Sequence, residues 1–118
     1  MSKFSFSWGA VGGDGVSVKM LEDSTLIHSF MEGLSSVRTP VNPSPEAWEE
    51  FYRTCKELGV SEWDADYKGD EFVLDGPVWS VDIDRDGLVV KSGGYCEFPP
   101  NFPLFCAALE KLVGGLKI

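Results

Sequence analysis

The chain has 118 residues, of which 43% are hydrophobic and 25% are charged, and its formal net charge at pH 7 is −9. This size and composition predict one soluble globular domain over residues 1–118, without the ~20 consecutive apolar residues that span a bilayer. The acidic balance disfavours nucleic acid and anionic membranes as partners. Three cysteines without a motif and an N-terminus without a secretory pattern predict a cytoplasmic protein with reduced thiols.

Alternating apolar and polar residues predict three strands in the first third of the chain. The glycine-rich stretch between the first two strands lacks the Lys-Ser/Thr ending of a phosphate loop, so it favours a hairpin turn. Residues 33–44 contain prolines and small polar residues, and we predict a connector there. The three predicted strands are residues 3–11, 16–20 and 25–31.

Two amphipathic helices are predicted, one in the middle of the chain and one near its end. The first has Ser44 as N-cap, Pro45 in the first turn and Gly59 as its stop. The second is predicted to be capped by Asn101, and it is apolar enough to be either deeply buried or part of a contact surface. The apolar stripes comprise Trp48, Phe51, Tyr52, Cys55 and Leu58 in the first helix and Phe102, Phe105, Cys106, Leu109, Leu112 and Val113 in the second.

The region between the two helices predicts further strands. Residues 60–67 alternate and predict a strand, and residues 75–94 predict a hairpin around an Asp-Gly turn. Gly93 and Gly94 indicate a bulge near the end of that hairpin. Together these elements predict an α+β fold: an antiparallel sheet of five or six strands with two helices packed on one face, in the order β-β-β-α-β-(β)-β-β-α.

The hairpin turn also carries a candidate cation site. Asp82, Asp84 and Asp86 precede Gly87 at the spacing of the first half of a calcium loop, where clustered carboxylate oxygens bind the ion. Position 12 of such a loop is normally glutamate, but this chain has Gly93 there. The same aspartates also alternate along a strand, so a hairpin without calcium is the competing interpretation.

The negative charge is concentrated in the central part of the chain. Residues 46–86 hold 13 acidic and 4 basic residues, a balance of −9, whereas the remainder holds 6 of each. The side chains of Asp64 and Asp66 project from the polar face of one predicted strand. Those of Asp82 and Asp84 project from the polar face of another. If those strands are neighbours, four carboxylates share one sheet face, which costs stability unless a cation or a basic partner relieves the repulsion.

A set of spaced residues runs from Pro45 to Leu109: Pro45-x-x-Trp48-x-x-Phe51, Leu58-Gly59-Val60-x-x-Trp63, Tyr67, Asp75-Gly76-x-x-Trp79, Ser92-Gly93, Pro99-Pro100 and Phe102-x-x-Phe105-x-x-Ala108-Leu109. This spacing resembles a pattern of small uncharacterised bacterial proteins. The resemblance implies a fold and no activity, because most of these positions are typical of cores and turns. By size and charge, the chain is also similar to immunity proteins and inhibitors that mimic anionic surfaces.

The function predicted from these observations is a non-enzymatic protein-binding module that contacts a basic partner surface through its acidic sheet face or its last helix. A calcium-binding domain is the second hypothesis. A small hydrolase is the third, since close carboxylates can serve acid–base chemistry. No nucleophile–base pair is evident in the sequence, and His28, the single histidine, is predicted to be structural or at the surface.

Overall fold

The fold is that of a computed structural model, which describes residues 3–10, 15–23, 25–32, 35–63, 67–68, 77–85, 87–95, 97–116 and 118. It confirms the predicted α+β class, with two helices packed on a largely antiparallel sheet. The strands are β1 (Lys3–Ala10), β2 (Gly15–Met20), β3 (Leu26–Glu32), β4 (Ser35–Val41), β5 (Tyr67–Lys68), β6 (Pro77–Arg85) and β7 (Leu88–Tyr95). The helices are α1 (Pro45–Leu58) and α2 (Phe102–Leu112), and a short 3-10 turn spans Val60–Glu62.

The strands of the described residues form a seven-stranded sheet in the order β4-β3-β2-β1-β6-β7-β5. All neighbouring pairs in this order are antiparallel except the last, in which the two residues of β5 run parallel to β7. The first four strands form a meander in chain order. The predicted hairpin β6–β7 joins that meander by pairing β6 with β1, which places β1 near the middle of the sheet.

The segment predicted to be a connector, residues 33–44, contains strand β4, so that prediction was wrong. β4 pairs with β3 in a register that places Phe30 opposite Val37 and Ile27 opposite Pro40. Among the described strands β4 is an edge. A proline is tolerated there, because the missing backbone N–H can face solvent rather than a neighbouring strand. The prolines therefore excluded a helix and a central strand, but they did not exclude an edge strand.

The strand predicted over residues 60–67 was wrong for residues 60–63, whereas Tyr67 at its end does lie in a strand, β5. Gly59 ends α1 with φ of 70° and begins the 3-10 turn. Val60 is fully buried within that turn, while Ser61 and Glu62 are exposed. The buried Val60 side chain therefore anchors a turn rather than lining one face of a strand. Only β5 extends the sheet here, and residues 64–66 lie outside the described residues.

The helix ends follow the predicted capping chemistry at α1 and depart from it at α2. The Ala47 N–H donates to Ser44 Oγ at 3.1 Å, which caps α1. The Asn101 side chain makes no capping bond to α2. Instead, Asn101 Oδ1 accepts a hydrogen bond from Trp63 Nε1 at 2.9 Å, and its Nδ2 donates to Leu58 O at 2.6 Å. Asn101 thus ties the end of α1 and the 3-10 turn to the start of α2.

Both helices pack on the same face of the sheet, and aromatic rings fill the space between them. Phe4 of β1 lies 5.6 Å from the Trp48 ring of α1, and Phe6 lies 5.8 Å from the Phe105 ring of α2. Such edge and tilted contacts add to the stabilisation from apolar burial. The predicted α2 stripe is buried apart from Cys106, which is half-buried. The outer face of the sheet, which is the face opposite the helices, is left uncovered by them.

The glycine pair in β7 does not form the bulge that the sequence indicates. The register continues through Ser80 opposite Gly93 and Trp79 opposite Gly94. A Cβ on Gly94 would lie 2.7 Å from each of three atoms, which belong to Trp79, Glu97 and Tyr67. Trp79 Nε1 donates to Glu97 O at 2.7 Å across this position. Glycine is therefore required here because other groups approach the backbone closely.

Candidate binding surface

The outer face of the sheet presents small polar side chains and charges of both signs. One row crosses five strands through Ser80, Ser7, Ser17, Ser29 and Arg38, which are successive partners in the register. Ser7 Oγ and Ser80 Oγ are 3.1 Å apart and share a hydrogen bond. Among the side chains that the structure describes on this face, the charged ones are the basic Lys3, Lys19, Arg38 and Lys91 and the acidic Asp82 and Asp84.

The predicted acidic face includes Asp82 and Asp84, and both lie on the outer face of β6 as expected. Asp82 Oδ2 is 2.6 Å from Lys3 Nζ, and Lys91 lies opposite Asp82 on β7. Asp84 is exposed and has Lys3 as its register partner on β1. Lysines therefore offset the repulsion between these two carboxylates. Asp64 and Asp66 lie outside the described residues, so the grouping of all four carboxylates stays a prediction.

The candidate calcium site is partly described. Asp82 and Asp84 point to the same side of β6, while Asp86 lies outside the described residues. Within the part of the chain that the structure describes, no group of three or more metal-ligating side chains is close enough to hold an ion. The Lys3 ammonium beside Asp82 competes with a cation for that carboxylate. The calcium hypothesis stays a prediction to be tested in solution.

The described histidine and thiols face the protein interior. His28 is only 4% exposed and lies between Val18 and Thr39 in the sheet register. Burial raises the pKa of Cys55 to about 12, and burial together with the nearby Glu110 carboxylate raises the pKa of Cys106 to about 12. These two thiols are therefore protonated at neutral pH and are poor nucleophiles, because the thiolate is the reactive form.

The exposed side of α1 carries a concentration of carboxylates, which we call the acidic helix surface. Its members are Glu46, Glu49, Glu50 and Glu57, and all four are exposed. Arg53 lies 3.9 Å from Glu49, and Lys111 of α2 lies 3.8 Å from Glu50. Exposed pairs at such distances contribute at most about 1 kcal/mol each, so the carboxylates remain available to other cations.

A groove runs along one flank of α1, and we call it the α1 groove. It consists of two adjacent cavities, the two halves of the groove, with volumes of about 490 Å³ and about 410 Å³, and Glu49 and Tyr52 line both. The larger half is bounded by the turn after β2, the segment before α1 and the first turns of α1. The smaller half lies between α1 and the start of β7. Asp23, Pro43, Pro45, Trp48 and Glu49 line the larger half, and Arg53, Lys56, Ser61 and Leu88 line the smaller half.

The floor of the larger half is formed by two stacked aromatic rings, one of which contacts the guanidinium group of Arg85. The Trp48 and Tyr52 rings are stacked with centroids 5.7 Å apart. The Arg85 guanidinium lies 4.2 Å from the centroid of the Trp48 ring, and its Nη1 is 3.6 Å from Met20 Sδ. The Thr25 backbone N–H donates to Asp23 Oδ1 at 3.0 Å and lowers the pKa of that carboxyl. Asp23 is consequently ionised at neutral pH.

The sequence pattern alone does not predict the α1 groove, although it contains signals for two of its residues. Arg85 continues the odd-numbered series of Trp79, Val81 and Ile83, which places its side chain on the inner face of β6 rather than in the turn. The spacing places Tyr52 in the apolar stripe of α1, but it lies at the margin of that stripe and is half-buried. The approach of the β2–β3 turn to α1 depends on tertiary packing and has no local sequence signal.

Comparisons with protein-family models, curated proteins and solved structures found no match to this chain. In the described residues, neither helix combines the length and apolar character needed to cross a membrane. The geometry of the chain is therefore the basis for a functional proposal.

Proposed function

We propose that this protein is a non-enzymatic protein-binding module whose partner presents a basic surface. Immunity proteins and inhibitors exemplify this class of function. The observation that carries the proposal is the acidic helix surface, where four exposed carboxylates project from the most strongly charged part of the chain. Arg53 and Lys56 are the basic side chains exposed on the same helix, so carboxylates outnumber cations there by two.

Charge complementarity of this kind steers a partner and selects its surface more than it adds affinity. The acidic sheet face predicted from the sequence is an alternative location for the same contact; its predicted members are Asp64 and Asp66, which lie outside the described residues, and Asp82 and Asp84 of β6. The described part of that face carries more basic than acidic side chains, which favours the acidic helix surface as the location.

Affinity capture from lysate of the source cells, followed by mass spectrometry and binding assays with the purified partner, tests the proposal. We expect a basic protein that binds at low salt and elutes at high salt, because exposed charges are screened over about 10 Å at 0.1 M salt. The triple variant Glu46→Gln, Glu50→Gln, Glu57→Gln should weaken binding of that protein.

The double variant Asp82→Asn, Asp84→Asn is the matched control on the outer face of the sheet. If this control loses binding and the helix variant keeps it, the contact lies on the sheet face. Retained proteins that are not basic, or binding that is insensitive to salt and to both variants, would refute the proposal.

A further inference from the structure

We infer that the α1 groove is a docking site for an extended segment of the partner, and that the segment places a single arginine or lysine side chain between Asp23 and Glu49. This inference rests on the proposed function and assigns it a location and a ligand chemistry. It commits to a segment of another protein, since no part of the described chain occupies the groove.

The charge of the larger half of the groove favours a cationic side chain. Asp23 approaches from the β2–β3 turn and Glu49 from α1, so the two carboxylates line the groove from different elements. Arg85 also faces this half, but its guanidinium lies against the Trp48 ring. The two carboxylates outnumber that one cation, and each can accept a charge-assisted hydrogen bond from an incoming guanidinium or ammonium group.

The walls of the groove favour an extended backbone. Aromatic rings and prolines form its apolar surface, with Pro45, Trp48 and Tyr52 from α1 and Pro43 from the segment that precedes it. Extended segments rich in proline dock in aromatic-lined grooves because their conformation is already ordered before binding. The two adjacent halves of the groove provide successive places for side chains of one such segment.

The smaller half limits the ligand to an isolated cation rather than a basic run. Arg53 and Lys56 line this half together with Glu49, so its charge is opposite to that of the larger half. A second basic side chain placed in the smaller half would meet like charges. An apolar or acidic side chain is compatible with Leu88 and with the two cations there.

The probe is an acetylated, amidated pentapeptide with one central arginine flanked by prolines, titrated into the ¹⁵N-labelled protein. Indole N–H signals are assigned with single Trp→Phe variants. We expect a saturable shift of the Trp48 indole signal with this peptide and a much smaller one when citrulline replaces arginine. Citrulline keeps the shape of arginine and removes its charge.

Matched pairs of variants separate the groove from general charge attraction. Glu49→Gln and Glu57→Gln each remove one exposed carboxylate from α1, but only Glu49 lines the groove. Asp23→Asn and Glu22→Gln each remove one exposed carboxylate from the β2–β3 turn, but only Asp23 lines the groove. The asparagine at position 23 retains the acceptor for the Thr25 N–H. We expect the two groove variants to weaken peptide binding by about threefold to tenfold and the two controls by less than about twofold.

Absence of a saturable Trp48 shift would overturn the groove assignment. Equal losses in groove and control variants would also overturn it and would leave charge-driven partner binding intact. Conversely, selective peptide binding in the groove together with a captured partner that is not basic would refute the proposed function alone.

Discussion

Replacing Asn101 with alanine should destabilise the protein more than the loss of a surface amide normally does. Its side chain accepts from Trp63 Nε1 and donates to Leu58 O, and both bonds are partly buried. The substitution leaves an indole N–H and a helix-terminal carbonyl without their partners. A stranded group of this kind costs about 1–3 kcal/mol. Because both sites are only partly buried, we expect a total loss of about 2–4 kcal/mol in the free energy of unfolding.

Urea denaturation followed by far-UV circular dichroism measures this loss, and thermal melting gives a second readout. For a chain of this length, we expect about 4 °C of melting temperature per kcal/mol. Asn42→Ala is the matched control, because Asn42 Oδ1 accepts one exposed hydrogen bond from Thr25. It should cost less than about 0.5 kcal/mol.

A double-mutant cycle tests the Asn101–Trp63 bond directly. Trp63→Phe removes the indole N–H, and the cycle subtracts the packing that this change also alters. We expect a coupling energy of about 1 kcal/mol between the two positions. Additive effects, or a loss below about 0.5 kcal/mol for Asn101→Ala, would show that this side chain does not tie the helices together.

Three further outcomes are expected. Gly94→Ala should lower stability by about 1–3 kcal/mol, because the new methyl group would lie 2.7 Å from three atoms, whereas Val89→Ala on the same strand should be nearly neutral. The pKa of Cys55 and Cys106 is raised to about 12 by burial, above the value near 8.5 of an unfolded thiol, so stability should fall as pH rises from about 8.5 towards 12. Millimolar calcium should not raise the melting temperature, because Lys3 already pairs with the Asp82 carboxylate.

For each of these expectations, a specific result would contradict the reasoning. A Gly94→Ala protein with wild-type stability would mean that the backbone around Trp79 adapts freely. The loss of stability at alkaline pH should be smaller in a double variant with alanine at Cys55 and Cys106. An unchanged loss would show that other groups cause it. A saturable calcium-dependent rise in melting temperature that EDTA reverses would establish a cation site.

Local signals predicted those parts of the fold that local chemistry determines. Ser44, Pro45 and Gly59 delimit α1 by capping and backbone conformation, and those preferences act within a few residues. The β6–β7 hairpin follows from alternation around an Asp-Gly turn, and Gly87 in that turn has φ of 86°. In such segments the sequence pattern and the tertiary fold favour the same conformation.

The errors occurred where packing and position in the fold, rather than local preferences, decide the structure. β4 depends on β3 for its pairing, and its proline is acceptable only because the strand lies at an edge. The sequence around Val60 and Trp63 resembles that of a strand. In the fold, burial in the core holds Val60 in the 3-10 turn, and the hydrogen bond to Asn101 holds Trp63 at the end of that turn. The α1 groove likewise arises from three segments that are far apart in sequence, so its residues could be found only in the folded molecule.

The position of β1 has a consequence for how the chain is made. Ser7 on β1 and Ser80 on β6 are hydrogen-bonded neighbours that lie 73 positions apart in the sequence. The meander β1–β4 can pair as soon as it emerges from the ribosome, but the second edge of β1 then waits for β6. At about 5–20 residues per second, that delay lasts several seconds.

During this interval, the future centre of the sheet is an open edge, and Phe6 lacks the Phe105 ring that packs on it, because α2 follows β6 in the chain. An unpaired edge is a template for other chains. The nascent protein is therefore most exposed to aggregation in the interval before β6 pairs with β1.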